Sequence, residues 1–301
     1  MKHIRRILDL QPEEAERLIY RGLELKRHLK KGFTHRPLVG KILALIFEKP
    51  STRTRVSFEA AMMKLGGQTI FLSARDLQLA RGEPLKDTAR VLSRYVDGIV
   101  VRTFGQEVVE ELAAHATVPV INGLSDRFHP CQVLSDLLTV VETGRRLNGL
   151  RVAWVGDGNN MANSWVEAAA LFGFELRLAC PEGYDPDPQV LEEARERGAR
   201  INLFRDPREA VSGAEVVNTD VWASMGQEAE AEERRRIFQP FQVNAELLKH
   251  AAPGAIVLHC LPAHRGEEIT EEVLEGPQSV VWDQSENKMW LHAAVLEWLL
   301  G

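Results

Sequence analysis

Short apolar runs alternate with helical patterns along almost the whole chain. Four runs in the first half are apolar and predict buried strands: KILALIF (41–47), QTIFL (68–72), GIVVRTF (98–104) and VPVIN (118–122). Segments between them place apolar residues on one helical face, as Phe58, Met62 and Leu65 do in 55–67. A helix that begins at Pro12 precedes the first strand. Strands that alternate with helices are typical of a parallel sheet covered on both faces.

The alternation restarts after a long helix predicted at 130–147. Six runs predict strands in the second half: LRVAWVGDG (150–158), FELRLACP (174–181), RINLF (200–204), EVVNTDVW (215–222), AIVLHCLP (255–262) and SVVWDQ (279–284). A last helix is predicted at 285–300. The sequence thus predicts an α/β protein of two wound parallel-sheet domains, with a boundary near 143–148.

Composition and charge exclude several classes of protein. A chain of 301 residues with 45% hydrophobic residues is ample for two buried cores. It contains no apolar run of the roughly 18 to 20 residues that span a bilayer, and MKHIRRILDLQPEE lacks the apolar core of a signal peptide. The three cysteines form no CxxC pair, which suits a reducing compartment, and we expect a cytoplasmic protein. An isoelectric point of about 5.9 argues against a nucleic acid partner.

The stretch FEKPSTRTRVSFE (47–59) is the most unusual in the chain. It crowds three cations and four hydroxyls into a predicted strand-to-helix turn: Lys49, Arg53, Arg55, Ser51, Thr52, Thr54 and Ser57. A helix start aims unpaired backbone N–H groups at one point, and arginine adds a planar fork of donors, so the stretch predicts a site for a phosphate-like anion. It lacks the glycines and the GK[ST] of a P-loop, so ATP and GTP are not expected. The alternative is a solvated basic turn in which Ser51 caps the helix and Arg55 pairs with Glu59.

The turn WVGDGNNMANS (154–164) raises the rival interpretation of a dinucleotide-binding enzyme. It gives Gly156-x-Gly158-x-x-Met161, so the third glycine of the fingerprint is missing. The turn is instead rich in amide and hydroxyl groups, from Asn159, Asn160, Asn163 and Ser164. Such groups at a helix start suit the carboxylate or amide of a small molecule, although the asparagines also fit a purely capping role.

Two histidine motifs remain. His129 precedes Pro130 at a predicted helix start, and His259, Cys260 and His264 follow a predicted strand end. Adjacent His and Cys rarely converge on one metal ion, and no further Cys or His pair stands at ligand spacing, so we expect no metal site. A nucleophilic Cys–His pair that uses Cys260 stays an open alternative.

Five motifs together resemble the ornithine carbamoyltransferases of the aspartate/ornithine carbamoyltransferase superfamily. In chain order they are STRTR (51–55), RTF from Arg102, HPCQ (129–132), DVWASMG (220–226) and HCLP (259–262). They stand at the family's spacing over nearly the entire chain. STRTR and HPxQ mark carbamoyltransferases in general, whereas the Ser-Met-Gly loop and His-Cys-Leu-Pro are specific to the ornithine enzymes.

The resemblance implies transfer of a carbamoyl group from carbamoyl phosphate to ornithine, with roles for particular residues. Carbamoyl phosphate is expected at Ser51, Thr52, Arg53, Thr54, Gln78, Arg102, His129, Gln132, Cys260, Leu261 and Lys288. The expected catalytic residues are Arg102, His129, Cys260 and Lys288. Ornithine is expected at Asn160, Asp220, Ser224 and Met225, and the Ser-Met-Gly loop is expected to close over it.

The resemblance also implies an α/β fold of two doubly wound parallel-sheet domains with the active site in the cleft between them. Residues 1–144 form the expected carbamoyl-phosphate domain, onto which helix 286–301 packs back, and residues 145–285 form the ornithine domain. Gln78 matches a position that reaches the phosphate site of a neighbouring subunit, so we expect a ring-shaped homotrimer or a multiple of trimers. No metal, organic cofactor, nucleic acid or membrane is expected as a partner.

The chain departs from the family pattern in SENKMW (285–290), where arginine is usual and this sequence has Lys288. Lysine keeps the positive charge but lacks the planar fork. Either Lys288 donates to the carbamoyl group, or it pairs with Glu286 or points to solvent.

Other functions stay open beside the transfer to ornithine. The nearest is a carbamoyltransferase for putrescine or acetylornithine, although Asp220 with the Ser-Met-Gly loop favours an α-amino acid over putrescine. From other classes we keep an NAD-linked dehydrogenase, which the missing glycine disfavours, and a non-catalytic binder of small anions. Arginine synthesis and citrulline breakdown both fit the motifs.

Overall fold

The computed structural model describes residues 2–73, 82–223 and 230–301. The chain divides into two compact units, Met1–Leu138 with Glu286–Gly301, and Thr139–Ser285. The predicted site residues Gln78, Ser224 and Met225 lie outside the described residues.

The first unit is built on a four-stranded parallel sheet in the order β2-β1-β3-β4. Its strands are β1 (Ile42–Phe47), β2 (Gln68–Ser73), β3 (Gly98–Arg102) and β4 (Val120–Leu124). The chain leaves β1 toward one edge and returns to its other side at β3, so the sheet is doubly wound. Phe47 is in register with Arg102, which brings the carboxyl ends of β1 and β3 side by side.

Helices cover this sheet and begin where the local sequence favours it. They are α1 (Pro12–Lys30), α2 (Thr52–Lys64), α3 (Leu85–Leu92), α4 (Gln106–His115), and the parts of α5 (Pro130–Glu142) and α12 (Val281–Leu300) that belong to this unit. In α1, Pro12 occupies the first turn beside Glu13 and Glu14, and the last turn is basic, which suits the helix dipole at both ends. Aliphatic residues such as Ile46, Val101 and Leu112 are buried between the sheet and the helices.

The second unit carries a five-stranded parallel sheet in the order β7-β6-β5-β8-β9. Its strands are β5 (Arg151–Val155), β6 (Glu175–Ala179), β7 (Arg200–Phe204), β8 (Val216–Thr219) and β9 (Ile256–His259). Its helices are α6 (Asn160–Phe172), α7 (Pro188–Glu196), α8 (Pro207–Val211), α9 (Ala231–Phe238), α10 (Ala245–Leu248) and α11 (Glu271–Leu274). The predicted fold class, two doubly wound parallel α/β sheets, is confirmed. None of the helices within the described ranges is long and apolar enough to cross a membrane.

Two sequence-based predictions of elements are wrong. The run 279–284 is not a strand, because only one bridge joins it to β9, at Ser279, and α12 begins at Val281. A short apolar run cannot be told from a helix start by its periodicity. The helix predicted to reach residue 147 ends at Glu142, because Gly144 takes a φ of 88°, which an L side chain rarely adopts.

Candidate functional site

In each unit, the polar motifs follow strands that flank the point where the strand order reverses. In the first unit the reversal lies between β1 and β3, and the basic turn follows β1 while Arg102 ends β3. In the second unit it lies between β5 and β8, which Asn159 and Asp220 follow. Loops at this edge of a doubly wound sheet are the usual binding region, because the connections that follow the two strands leave toward opposite faces of the sheet and open a crevice between them.

The basic turn opens α2 with an anion-binding arrangement. Ser51 is the N-cap, and its Oγ accepts a hydrogen bond from the Thr54 N–H at 3.2 Å. The first turn of α2 carries no acidic residue, so no side chain of its own neutralises the positive end of the helix dipole. The remaining N–H groups of this turn are therefore available to an anion.

The two arginines of the turn have different environments. The Arg55 Nε donates to Glu59 at 3.0 Å, and its guanidinium stacks over the Phe71 ring at 3.6 Å. Arg53, half-buried, makes no side-chain hydrogen bond or ion pair with any residue that the structure describes. Both features of the capping alternative are therefore present, in Ser51 and in Arg55, and neither of them involves the Arg53 side chain.

Lys288 lies inside the first unit and not at its surface. Its side chain is buried, and Nζ donates to the Thr54 Oγ1 at 3.1 Å and to the Gln132 Oε1 at 2.8 Å. Glu286 instead pairs with Lys30 at 2.6 Å and approaches Lys26 at 3.7 Å. The alternative that Lys288 pairs with Glu286 or points to solvent is therefore wrong.

The orientation of the Gln132 amide follows from its second partner. Its Nε2 donates to the Asp136 Oδ1 one helical turn later at 2.8 Å, so its Oε1 faces Lys288. A chain of hydrogen bonds thus runs from Asp136 through Gln132 and Lys288 to Thr54. Each member is buried, so the positions of these polar atoms are closely defined.

Arg102 and His129 are buried in the same unit. Burial, together with the positive charges of Lys288 and Arg102 and the neighbouring His292, lowers the pKa of His129 well below its ordinary value. At neutral pH the imidazole is therefore uncharged and serves as a hydrogen-bonding group. The positive charge of this region comes from Lys288 and Arg102.

In the second unit, a carboxylate joins the ends of two strands. The Asp220 Oδ1 accepts from the Cys260 Sγ at 3.1 Å, and its Oδ2 accepts from the Asn159 Nδ2 at 3.0 Å. Asn159 also caps α6, because its Oδ1 accepts from the Met161 N–H. Asn159 therefore has the capping role that the sequence suggested. Its amide group also donates to Asp220 and so orients that carboxylate. Asn160 is the first residue of α6.

The glycines of the partial dinucleotide fingerprint serve the packing of the chain itself. A Cβ on Gly158 would lie 2.2 Å from the backbone of Asp185 and Pro186. The Gly158 N–H donates to the Tyr184 carbonyl at 2.9 Å. The loop that contains Tyr184 thus occupies the close approach which, in a dinucleotide enzyme, is used by the pyrophosphate. This observation removes the main support for an NAD site.

The HCLP segment is held by a buried hydrogen bond between His259 and Glu268. The His259 Nδ1 accepts from the Leu261 N–H at 2.9 Å, so the ring proton is on Nε2, which lies 3.0 Å from the Glu268 Oε1. Leu261 has a φ of 60°, a strained conformation for leucine that this backbone contact helps to hold.

The hydrogen bonds of His259 disfavour both a metal site and a Cys–His nucleophile in this segment. Asp220, His259 and Cys260 place ligand atoms within 4.8 Å of one another. Both nitrogens of His259 are already engaged, so the imidazole would have to give up a bond to bind a metal ion or to act as the base for Cys260. Asp220 is the group that accepts from the Cys260 thiol.

Sequence reasoning missed several buried charged or titratable residues. Asp157 and Arg234 form a buried pair at 2.5 Å, and burial raises the pKa of Asp157 to about 6 despite the arginine. Asp136, His292 and Glu268 are also buried. Asp136 and His292 lie in apolar helices, whereas Glu268 lies in an acidic segment of a kind that is usually exposed. A polar residue on the apolar face of a helix was the signal available for Asp136 and His292.

The chain matches known proteins over nearly all of its length. Residues 2–142 match the family described as aspartate/ornithine carbamoyltransferase, carbamoyl-P binding domain, and residues 148–299 match the Asp/Orn binding domain. The chain is 64% identical over 300 residues to an ornithine carbamoyltransferase from Desulfotalea psychrophila, covering 99% of each chain. It is 55% identical over 300 residues to an anabolic ornithine carbamoyltransferase from Pseudomonas aeruginosa, covering 100% of this chain and 97% of the other.

A solved structure shows the same fold. The ornithine carbamoyltransferase from Pyrococcus furiosus superposes with a TM-score of 0.96 at 53% identity, covering 100% of this chain and 97% of the other. The two family matches together span nearly all residues, and the relatives are similar over nearly their full length. Both findings assign the chain to the same family. The chain belongs to the aspartate/ornithine carbamoyltransferase family.

Proposed function

We propose that this protein transfers the carbamoyl group from carbamoyl phosphate to the δ-amino group of L-ornithine, giving L-citrulline and phosphate. Relatives at 55 to 64% identity that carry the name ornithine carbamoyltransferase support this substrate pair. The first unit binds carbamoyl phosphate, and the second binds ornithine. The single observation that carries the proposal is the buried Lys288 ammonium, held between Thr54 and Gln132.

Carbamoyl phosphate suits the charges and donors of the first unit. The phosphate accepts from the N–H groups at the start of α2, from the hydroxyls of Ser51 and Thr52, and from Arg53. Arg102 reaches the same anion from the end of β3. The carbamoyl group lies toward the buried donors Thr54, His129, Gln132 and Lys288. Since His129 is uncharged, it orients the carbamoyl group without adding a charge of its own.

Ornithine suits the polar groups of the second unit. Asn160 binds the α-carboxylate at the start of α6, where the helix dipole favours an anion. Asp220 binds the α-ammonium, as its position between Cys260 and Asn159 keeps the carboxylate turned inward. Cys260 and Leu261 lie near the reactive nitrogen. Ser224 and Met225 lie outside the described residues, and their binding of ornithine stays a prediction.

The reaction follows from these positions. The uncharged δ-amine attacks the carbamoyl carbon, and negative charge grows on the carbamoyl oxygen as the C–N bond forms. Arg102, His129, Thr54 and Lys288 donate to that oxygen, and preorganised donors of this kind lower the barrier because they need not reorient. The C–O bond to phosphate then breaks, and the leaving phosphate takes up the proton that the attacking nitrogen loses. The resulting hydrogen phosphate dianion is held by the arginines and the start of α2. The steps proposed for these residues use neither a metal ion nor an organic cofactor.

The proposal extends to the setting of the enzyme. The protein assembles as a homotrimer or a multiple of trimers, the organisation that the family resemblance implies. The protein works in the cytoplasm and needs neither membrane nor nucleic acid. The name of the Pseudomonas relative, an anabolic enzyme, supports a role in arginine synthesis.

The test is an assay of the purified protein with carbamoyl phosphate and one amine at a time. We expect citrulline and phosphate in equal amounts with L-ornithine, and no product with putrescine, acetylornithine or aspartate. Arg102→Gln should remove most of the activity, whereas Arg94→Gln, at an exposed position at the end of α3, should not change it. A carbamoylated product from putrescine or acetylornithine instead of ornithine would contradict the proposal.

A further inference from the structure

A buried histidine lies directly behind the first turn of α2. His292 is 0% exposed, and its ring stacks on Phe58 with centroids 3.6 Å apart and an interplanar angle of 9°. Its Nδ1 lies 3.0 Å from the Ser57 Oγ. None of the sequence motifs includes His292, and the proposed chemistry does not use it.

The directions of the hydrogen bonds follow from the number of protons available. Ser57 Oγ donates to the Thr54 carbonyl at 3.1 Å. A hydroxyl carries one proton, so the Ser57 oxygen must then accept from a protonated Nδ1 of His292. The resulting chain runs in one direction, from His292 through Ser57 to Thr54, and hydrogen bonds aligned in this way strengthen one another.

The other ring nitrogen supports the same tautomer. The buried Nε2 of His292 has no hydrogen-bond partner among the residues that the structure describes. A buried N–H without a partner is rarer than an acceptor without one, so Nε2 carries the lone pair and Nδ1 the proton. The charge of Lys288, one turn earlier on α12, favours an unprotonated nitrogen as well, and with burial it lowers the pKa of His292 well below its ordinary value.

Two polar contacts therefore join α12 to α2. Lys288 and His292 are four residues apart on α12, and Thr54 and Ser57 are three residues apart on α2, so each pair lies on one helical face. Lys288 binds the Thr54 hydroxyl, while His292 acts through Ser57 on the Thr54 carbonyl. Thr54 is thus held at both its side chain and its backbone.

We propose that His292 is a positioning residue for the carbamoyl-phosphate site. Its uncharged Nδ1–H tautomer orients Ser57, and Ser57 in turn holds the first turn of α2, whose N–H groups bind the phosphate. A lysine ammonium is a point charge on a flexible stem and defines the relation of the two helices less closely than an arginine fork. The His292–Ser57 contact supplies the second point of attachment. This inference rests on the proposed function of the site.

The central experiment compares two substitutions of His292. His292→Phe keeps the ring that stacks on Phe58 but removes the donor, whereas His292→Asn keeps an N–H near the position of Nδ1. Loss of one hydrogen bond should raise the Kd for inorganic phosphate and the KM for carbamoyl phosphate by about tenfold in the phenylalanine variant. The KM for ornithine should change by less than about twofold, because the second unit does not contain the contact. The asparagine variant should recover most of the phosphate affinity.

A double-mutant cycle tests whether His292 acts through Ser57. Ser57→Ala should weaken phosphate binding by a similar factor, and the double variant should be no worse than either single variant, because all three break the same chain. Losses that multiply in the double variant would overturn the coupling. An unchanged phosphate Kd in His292→Phe, even with a lower melting temperature, would show a merely structural role and overturn the proposal.

The tautomer is measured independently of activity. The ¹⁵N shifts of the His292 ring in the wild-type protein should show a protonated Nδ1 and an unprotonated Nε2 at neutral pH. A protonated Nε2 would overturn the direction of the chain. Calorimetry with inorganic phosphate separates this inference from the function on which it rests. A wild-type protein that binds no phosphate and makes no citrulline refutes the proposed function, whereas an active wild type with an equally active phenylalanine variant refutes only the role of His292.

Discussion

The ammonium of Lys288 lies 3.1 Å from the hydroxyl of Thr54, 234 residues earlier in the chain. This contact joins the last helix to the first turn of α2, the turn that carries the STRTR motif. The same ammonium donates to Gln132 on α5, so three helices meet at one buried charge. A positive charge is thus present at this position, on a side chain with fewer donors than arginine.

Lys288→Met should lower kcat by roughly 10²-fold, the low end for losing one donor to a developing oxyanion, with smaller changes in either KM. The charge that stabilises the transition state is lost, and the methionine stem keeps the packing. Lys288→Arg should retain most activity, since a fork restores the usual family arrangement. Lys30→Met is the matched control, because Lys30 is exposed and pairs only with Glu286 in the described structure. Steady-state kinetics decides, and a kcat within about twofold of wild type in Lys288→Met would remove Lys288 from the catalytic set.

Arg53→Ala and Arg55→Ala should differ although the residues are two positions apart. Arg53 has no described partner within the protein, so its replacement should remove mainly an interaction with the ligand. We expect the Kd for carbamoyl phosphate to rise by about 10- to 100-fold. Arg55 is paired with Glu59, a contact at the surface worth about 1 kcal/mol or less, so its loss should change that Kd by less than about fivefold. Calorimetry measures both values. Equal losses in the two variants would contradict the distinct roles.

Asp220→Asn should raise the KM for ornithine by about 10- to 100-fold while the KM for carbamoyl phosphate stays within about twofold. An amide at this position presents a donor where the carboxylate presents two acceptors to Cys260 and Asn159. It also removes the charge that binds the α-ammonium. Asp206→Asn, at a surface pair with Arg208, is the control. The prediction fails if both KM values rise together.

Activity at subsaturating ornithine should increase from neutral to alkaline pH. The δ-ammonium of ornithine, like that of lysine, has an ordinary pKa of about 10.4, so the nucleophilic free amine is scarce near neutrality. The measurement is kcat/KM for ornithine across this range at saturating carbamoyl phosphate. A flat profile would count against direct attack by the free amine.

Acid should destabilise the first unit through His129 and His292. Burial and neighbouring positive charge lower the pKa of both rings in the folded protein, so below the ordinary value of 6.5 the unfolded chain binds more protons than the folded one. Stability therefore falls as the pH drops through this window, by about 1.4 kcal/mol per histidine between pH 7.5 and 5.5.

The matching experiment compares urea midpoints at the two pH values. His292→Phe removes one of the groups that take up protons on unfolding, so its midpoint should fall less on acidification than that of the wild type. His264→Gln, at a half-exposed position, serves as the control. An identical acid shift in His292→Phe and the wild type would show that His292 does not titrate in this way.

Local patterns in the sequence determined the elements and the fold class. Alternation of apolar runs with helical faces follows from backbone geometry, so it predicted β1 and β5 and the helices beside them without knowledge of their neighbours. Strands β8 and β9 were predicted in the same way. The capping role of Ser51 and the Arg55–Glu59 pair were likewise available, because they join residues within one helical turn. The motifs also named the family, since they occur in a known order.

Only the tertiary structure decided which partners the buried polar groups have. The contacts of Lys288 with Thr54 and Gln132, and of His292 with Ser57, join residues more than 150 positions apart. The sequence left two partners open for Lys288, and the structure assigned Glu286 to Lys30 instead. The structure also shows that the apolar run at 279–284 leads into α12, which begins at Val281, and is not a strand. A buried charge is stable only where the assembled chain supplies donors and acceptors around it, and no local pattern specifies that arrangement.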